Sequence, residues 1–117
     1  MKQEVMKIWV DALRSGEYTQ GVGCLKSTSG NHCCLGVLCE LYDKNNEEKL
    51  IRVEWEDNVV SFNSCKMSLP DEVRTWAGMD YYDGSIPGLS TSLAALNDDE
   101  VSFQEIADII EQNVERL

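Results

Sequence analysis

The sequence predicts a single α+β domain, helices packed on a small and mainly antiparallel sheet. Three observations lead there. Apolar residues recur at helical spacing near both ends, at Val5, Ile8, Trp9, Ala12 and Leu13 and again at Phe103, Ile106, Ala107, Ile110, Val114 and Leu117. Between them Ile51, Val53 and Trp55 alternate with charged residues, the period of a half-buried strand, and Val59, Val60 and Phe62 follow as the returning strand of a hairpin. The chain has 117 residues, enough for one apolar core and too few for two.

Each element has a local reason. The first helix stops at Gly16, which suits a left-handed C-terminal cap. From Tyr18 to Leu25, Gly21 and Gly23 alternate with Val22 and Cys24, a short strand or extended loop that another backbone or a ligand can approach closely. Ser27 to His32 is a polar turn. Cys34, Leu35, Leu38, Cys39 and Tyr42 form a helical stripe, so a second helix runs from about Cys34 to Tyr42 and ends at Lys44-Asn45-Asn46. Glu56-Asp57-Asn58 turns the hairpin. In the next helix Ser68 is the expected cap, Pro70 fits the first turn, Asp71 and Glu72 suit the positive end of the dipole, and Gly78 terminates. Met79 to Pro87 reads as a strand or ordered loop, and Leu89 to Leu96 fits a strand or a short helix equally well. Ser102 and Glu105 form a capping box for the last helix, with Val101 placed to staple onto Ile106.

Charge narrows the function classes. There are 21 acidic and 10 basic side chains, a formal charge of −11. A nucleic-acid binder needs a basic face, which this composition does not favour. No apolar run reaches the ~20 residues of a membrane span, and no signal-peptide core follows the first residues. The excess is concentrated in residues 61–117, where Lys66, Arg74 and Arg116 are the only cations, and Asp98-Asp99-Glu100 is the longest acidic run. Such a surface serves solubility or docks on a basic partner.

Five cysteines (Cys24, Cys33, Cys34, Cys39 and Cys65) make an odd number, which points to reduced thiols in a cytosol-like compartment. They lack the Cys-x-x-Cys spacing of a zinc knuckle, so no metal site and no cofactor is expected. His32 is the only histidine, and a catalytic dyad would have to join it to a cysteine or a carboxylate. Its neighbour Cys33 points the other way on an extended chain, which disfavours catalysis. A binding role has better candidates. Arg14, Arg52 and Arg74 suit bidentate capture of phosphate or carboxylate, Tyr81, Tyr82, Trp55 and Trp76 offer stacking surfaces, and Gly21 and Gly23 admit a ligand close to the backbone. Against this, each arginine has many local acids to pair with, and the tryptophans suit the core.

Three blocks of sequence stand out: Trp9-Val10-Asp11-Ala12-Leu13-Arg14-Ser15-Gly16-Glu17-Tyr18-Thr19-Gln20-Gly21, then Cys33-Cys34-Leu35-Gly36-Val37-Leu38-Cys39, and then Leu96-Asn97-Asp98 followed by Ser102 to Glu111. Together they resemble a family of small proteins encoded by tailed bacteriophages. The resemblance implies an accessory protein of the bacterial host cytoplasm during infection, acting in counter-defence or host takeover by binding. Two forms of binding are expected. In one, an oligomer sequesters a small phosphorylated nucleotide signal with Arg14, Arg52, Arg74, Tyr81 and Tyr82. In the other, Asp98, Asp99 and Glu100 lead an acidic surface onto a basic host protein.

Overall fold

The computed structural model describes all 117 residues. Helix α1 spans Gln3–Ser15 and closes on Gly16 in the left-handed region, φ 81°. It buries Val5, Met6, Trp9, Val10 and Leu13, with Ile8 and Ala12 at the margin, so the stripe is rotated slightly from the expected one. Trp9 is fully buried, and its indole N–H donates to the Cys34 carbonyl at 2.9 Å, so its one polar atom is satisfied. Short strand β1 is Lys26–Ser27. The preceding stretch, Tyr18 to Leu25, is a loop, joined to the rest by a parallel bridge between Gln20 and His32.

Helix α2, Cys34–Asn45, runs one turn further than its apolar stripe suggests. From Cys34 to Cys39 every residue is buried, including Gly36. Gly36 is required there: a Cβ would overlap the Leu25 carbonyl oxygen and stand 2.7 Å from its carbonyl carbon. Strands β2, Arg52–Glu54, and β3, Val59–Phe62, form the expected hairpin, and β3 is the central strand of the order β1-β3-β2, antiparallel throughout. Arg52 stands opposite Phe62, Val53 opposite Ser61 and Glu54 opposite Val60. The expected half-burial of β2 does not occur. Ile51, Val53 and Trp55 remain 70%, 41% and 44% exposed, because no helix covers their side of this edge strand.

Helix α3, Asp71–Ala77, ends on Gly78 at φ 71° and carries Asp71 and Glu72 in its first turn, as its sequence requires. Ser68 is not its cap. Pro70 occupies that position, without a side-chain hydrogen bond, and its carbonyl accepts from Val73 and Arg74. Both readings of the following stretch hold in part. Met79 to Pro87 is an ordered loop holding the two-residue strand β4, Ser85–Ile86, and residues 89–96 divide into strand β5, Thr91–Ser92, and helix α4, Leu93–Asp98. Ser92 caps α4 by accepting from the Ala95 N–H. Helix α5, Phe103–Gln112, is capped by Ser102, whose hydroxyl accepts from the Glu105 N–H. Phe103, Ile106, Ala107 and Ile110 pack against α1, and Val114 and Leu117 continue the buried row beyond the helix. Each fully buried Leu or Ile contributes about 1.5–3 kcal/mol, so this one core carries the fold.

Candidate functional site

The charged and polar groups of the molecule fall into two settings. The first is a belt around α2. Glu40 and Asp43 lie three residues apart, hence on one side of the helix, and β2 brings Arg52 across to both. Arg52 binds Glu40 bidentately, at 2.5 and 3.2 Å, and Asp43 at 2.7 Å, while its guanidinium lies 4.7 Å from the centre of the Phe62 ring. Glu40 also meets His32 Nε2 at 2.7 Å and Lys26 Nζ at 3.3 Å. Burial by itself would raise the Glu40 pKa, but the hydrogen bonds from His32 and Arg52 and the charges of Arg52 and Lys26 outweigh it and hold the carboxyl well below the usual range. Burial opposes the charge of Arg52 too, and its two carboxylates more than compensate, so its pKa is raised. The tautomer of His32 with its proton on Nε2 donates to Glu40, and Tyr18 packs edge-on against the ring at 5.3 Å. Nδ1 is buried without a partner.

His32 therefore pairs with a carboxylate and not with a cysteine. Cys33, Cys34 and Cys39 are buried and Cys24 and Cys65 partly so, all as free thiols. Burial pushes the Cys33 thiol up to about 11 and those of Cys34 and Cys39 well above their ordinary value, the opposite of what a thiolate nucleophile needs. No three His, Cys, Asp or Glu side chains converge in a group that could hold a metal ion.

A second polar centre, Asn97, joins this belt to the C-terminal half. It is fully buried, and its Oδ1 accepts from the Cys34 N–H at 3.1 Å and from Gln20 Nε2 at 3.0 Å, while Nδ2 donates to the Gly21 carbonyl at 2.8 Å. Cys33, the residue before α2, makes no side-chain cap, so Asn97 caps that helix from α4.

The structure separates the residues singled out for a ligand. Arg14, on α1, binds Asp108 at 2.6 Å and Glu111 at 3.2 Å on α5. Arg52 belongs to the belt. Arg74 binds Asp71 at 2.8 Å and the Met79 carbonyl at 3.0 Å, with its guanidinium 4.9 Å from the centre of the Tyr82 ring. The three do not share a pocket, because each is drawn to the carboxylates nearest to it. The Gly21–Gly23 loop is occupied by the protein itself. Gly21 donates to the His32 carbonyl at 2.7 Å and lies against Asn31, and Gly23 donates to Asp98 Oδ1 at 3.0 Å. Of the tryptophans named with them, Trp76 packs at the core edge-on to Tyr42 at 5.5 Å, whereas Trp55 stays half out, under Lys66 at 4.3 Å.

Tyr81 lies elsewhere, in the second setting. It lines an open groove of about 530 Å³ with Asp83, Ser85, Pro87, Ser90, Thr91 and Ala95. Tyr81 and Leu89 are about half exposed in this region. Asp99, one helical turn beyond Ala95, and Glu100 after it are exposed and make no ion pair, as do Asp80 and Asp83. No lysine or arginine lines the groove. Of the Asp98-Asp99-Glu100 run, only Asp98 has a structural engagement, with Gly23.

Residues 1–114 match the family model for a domain of unknown function, DUF8296. The chain belongs to that family. No curated protein and no solved structure is significantly similar to it. Within this DUF8296 domain, the polar residues that sequence reasoning passed over are Glu40 and Asn97. Glu40 stood in an otherwise apolar helical segment, which was a usable signal, since a carboxylate beside so many buried neighbours needs cations. Asn97 carried no comparable sign, because its three partners lie more than sixty positions away.

Proposed function

We propose that this protein is a non-catalytic accessory binding protein, of the counter-defence or host-takeover kind that the phage resemblance implies, and that it docks through the face around the Tyr81 groove onto a basic protein surface. The observation that carries this reading is the combination there of half-exposed Tyr81 and Leu89 with Asp80, Asp83, Asp99 and Glu100, none of them neutralised within the chain. Tyrosine supplies contact area at an interface, and unpaired carboxylates steer a cationic partner to it. Sequestration of a phosphorylated nucleotide has less support, since Asp83 lines this groove and the one cation near it is Arg116 beside Gly88, while Arg14, Arg52 and Arg74 are engaged elsewhere.

The test is capture of host proteins on the immobilised chain at rising salt, with Asp99→Asn/Glu100→Asn as the comparison. Asparagine suits position 100, where φ is 63°. A specific partner should be released by salt and bound at least tenfold more weakly by the double variant. Capture indifferent to both would overturn the docking reading. Heat on titration with cyclic dinucleotides or ADP-ribose derivatives would favour sequestration instead.

A further inference from the structure

The free edge of β2 has an arrangement that neither the core nor the acidic face uses. Asn63 N–H donates to the Ile51 carbonyl and Trp55 N–H to the Val59 carbonyl, so Ile51, Val53 and Trp55 turn their backbone groups inward to β3. In an antiparallel pair the alternate residues turn theirs outward. The N–H and C=O groups of Arg52 and Glu54 therefore point away from the sheet, at an edge that nothing covers. Ile51, Val53 and Trp55 meanwhile project to one side of the strand, the side left exposed. An uncovered edge beside exposed apolar side chains is a template for another strand.

We propose that this edge pairs with the same edge of a second copy of the chain, joining two three-stranded sheets into one of six strands about a two-fold axis. The sequence Ile51-Arg52-Val53-Glu54-Trp55 is complementary to itself in one antiparallel register, the one centred on Val53. Arg52 then stands opposite Glu54 of the other copy, and each supplies the outward N–H and C=O that the other needs. Glu54 has no ion-pair partner in its own chain, and this register sets it beside a guanidinium that already holds Glu40 and Asp43, so the pair adds register specificity more than charge neutralisation. On the other side of the strand Ile51 meets Trp55 and Val53 meets its own counterpart, so all three exposed apolar residues gain cover. A slip by one residue would set Arg52 opposite Val53, put charged and apolar side chains on common faces, and misalign the outward groups. This contact is isologous and closes at two copies. It lies apart from the Tyr81 groove and stands or falls independently of the docking function.

The experiment is sedimentation of the full chain over a wide concentration range. The expected result is a mass rising from 13.2 kDa toward twice that value. Glu54→Pro removes the outward N–H and the carboxylate that the proposed contact uses, at an edge position where proline is tolerated, so the variant should keep the wild-type circular dichroism and remain monomeric. Val53→Cys supplies the register. Its counterpart would stand directly opposite as a non-hydrogen-bonded pair, with Cα atoms about 4.5 Å apart, close enough for a disulfide. Mild oxidation should cross-link Val53→Cys at least tenfold faster than Ile51→Cys, whose counterpart faces Trp55. A chain that stays at 13.2 kDa at every concentration overturns the proposal, and so does a folded Glu54→Pro variant that dimerises as the wild type does. Equal cross-linking of the two cysteine variants would overturn the register.

Discussion

Helices α2 and α5 both carry carboxylates, and the protein treats them in opposite ways. On α2, Glu40 and Asp43 are largely covered and bound by Arg52, with His32 and Lys26 completing the shell of Glu40. On α5, Asp108 and Glu111 sit in solvent with Arg14, and Glu105 is exposed without an ion pair. The difference follows from what lies behind each helix. The first two turns of α2 are buried on every side, so a carboxylate there must bring its counter-charges along. Helix α5 buries a single stripe, and water solvates the rest. Charge at α2 is therefore part of the architecture, and charge on α5 stays in water.

Three substitutions would break or sharpen that contrast. The largest effect is expected at Gly36, where α2 touches the Leu25 backbone. Gly36→Ala forces the helix and the β1 approach apart and should cost more than about 4 kcal/mol, a large part of the whole stability of a domain this size. Urea denaturation would show it, and a midpoint near wild type would mean that α2 is not seated so tightly.

Next comes Glu40→Gln, which leaves Arg52 and Lys26 facing a neutral amide and should cost about 3 kcal/mol at neutral pH. The pH dependence carries a sign. Because the folded-state pKa of Glu40 is depressed, its contribution is complete above the ordinary carboxylate range, where the unfolded chain has also lost its proton. It fades as pH falls below about 4.3 toward the lower folded value. The gap between wild type and Glu40→Gln should therefore narrow between pH 7 and pH 3. A constant gap would show that Glu40 acts through packing and not through charge.

The smallest effect belongs to Arg14→Gln. Its pair with Asp108 and Glu111 joins α1 to α5 but stands in water, so the unfolding midpoint should not move measurably. A clear loss of stability would erase the distinction between the two helices.

Much of the fold was legible in the sequence. The stops at Gly16 and Gly78, the Ser102 cap, the hairpin and the apolar row from Phe103 to Leu117 are local chemistry, decided within a few residues of themselves. The functional region was less legible. Arg14, Arg52 and Arg74 each have many acids to pair with in the sequence, which does not say whether or with which they pair, whereas in the fold each has found carboxylates, some of them 94 and 97 positions away. Ile51, Val53 and Trp55 alternate as a buried strand should, and period alone cannot say whether a helix lies over them.

What the sequence determined by itself is the set of elements and a charge of −11, since periodicity, caps and composition act at short range or by simple addition. Which charges are spent and which face outward was decided only by the tertiary structure. Hydrogen bonds and ion pairs act over a few ångströms, and only folding brings Glu40 to Arg52, Asn97 to Cys34 and Asp98 to Gly23 within that reach.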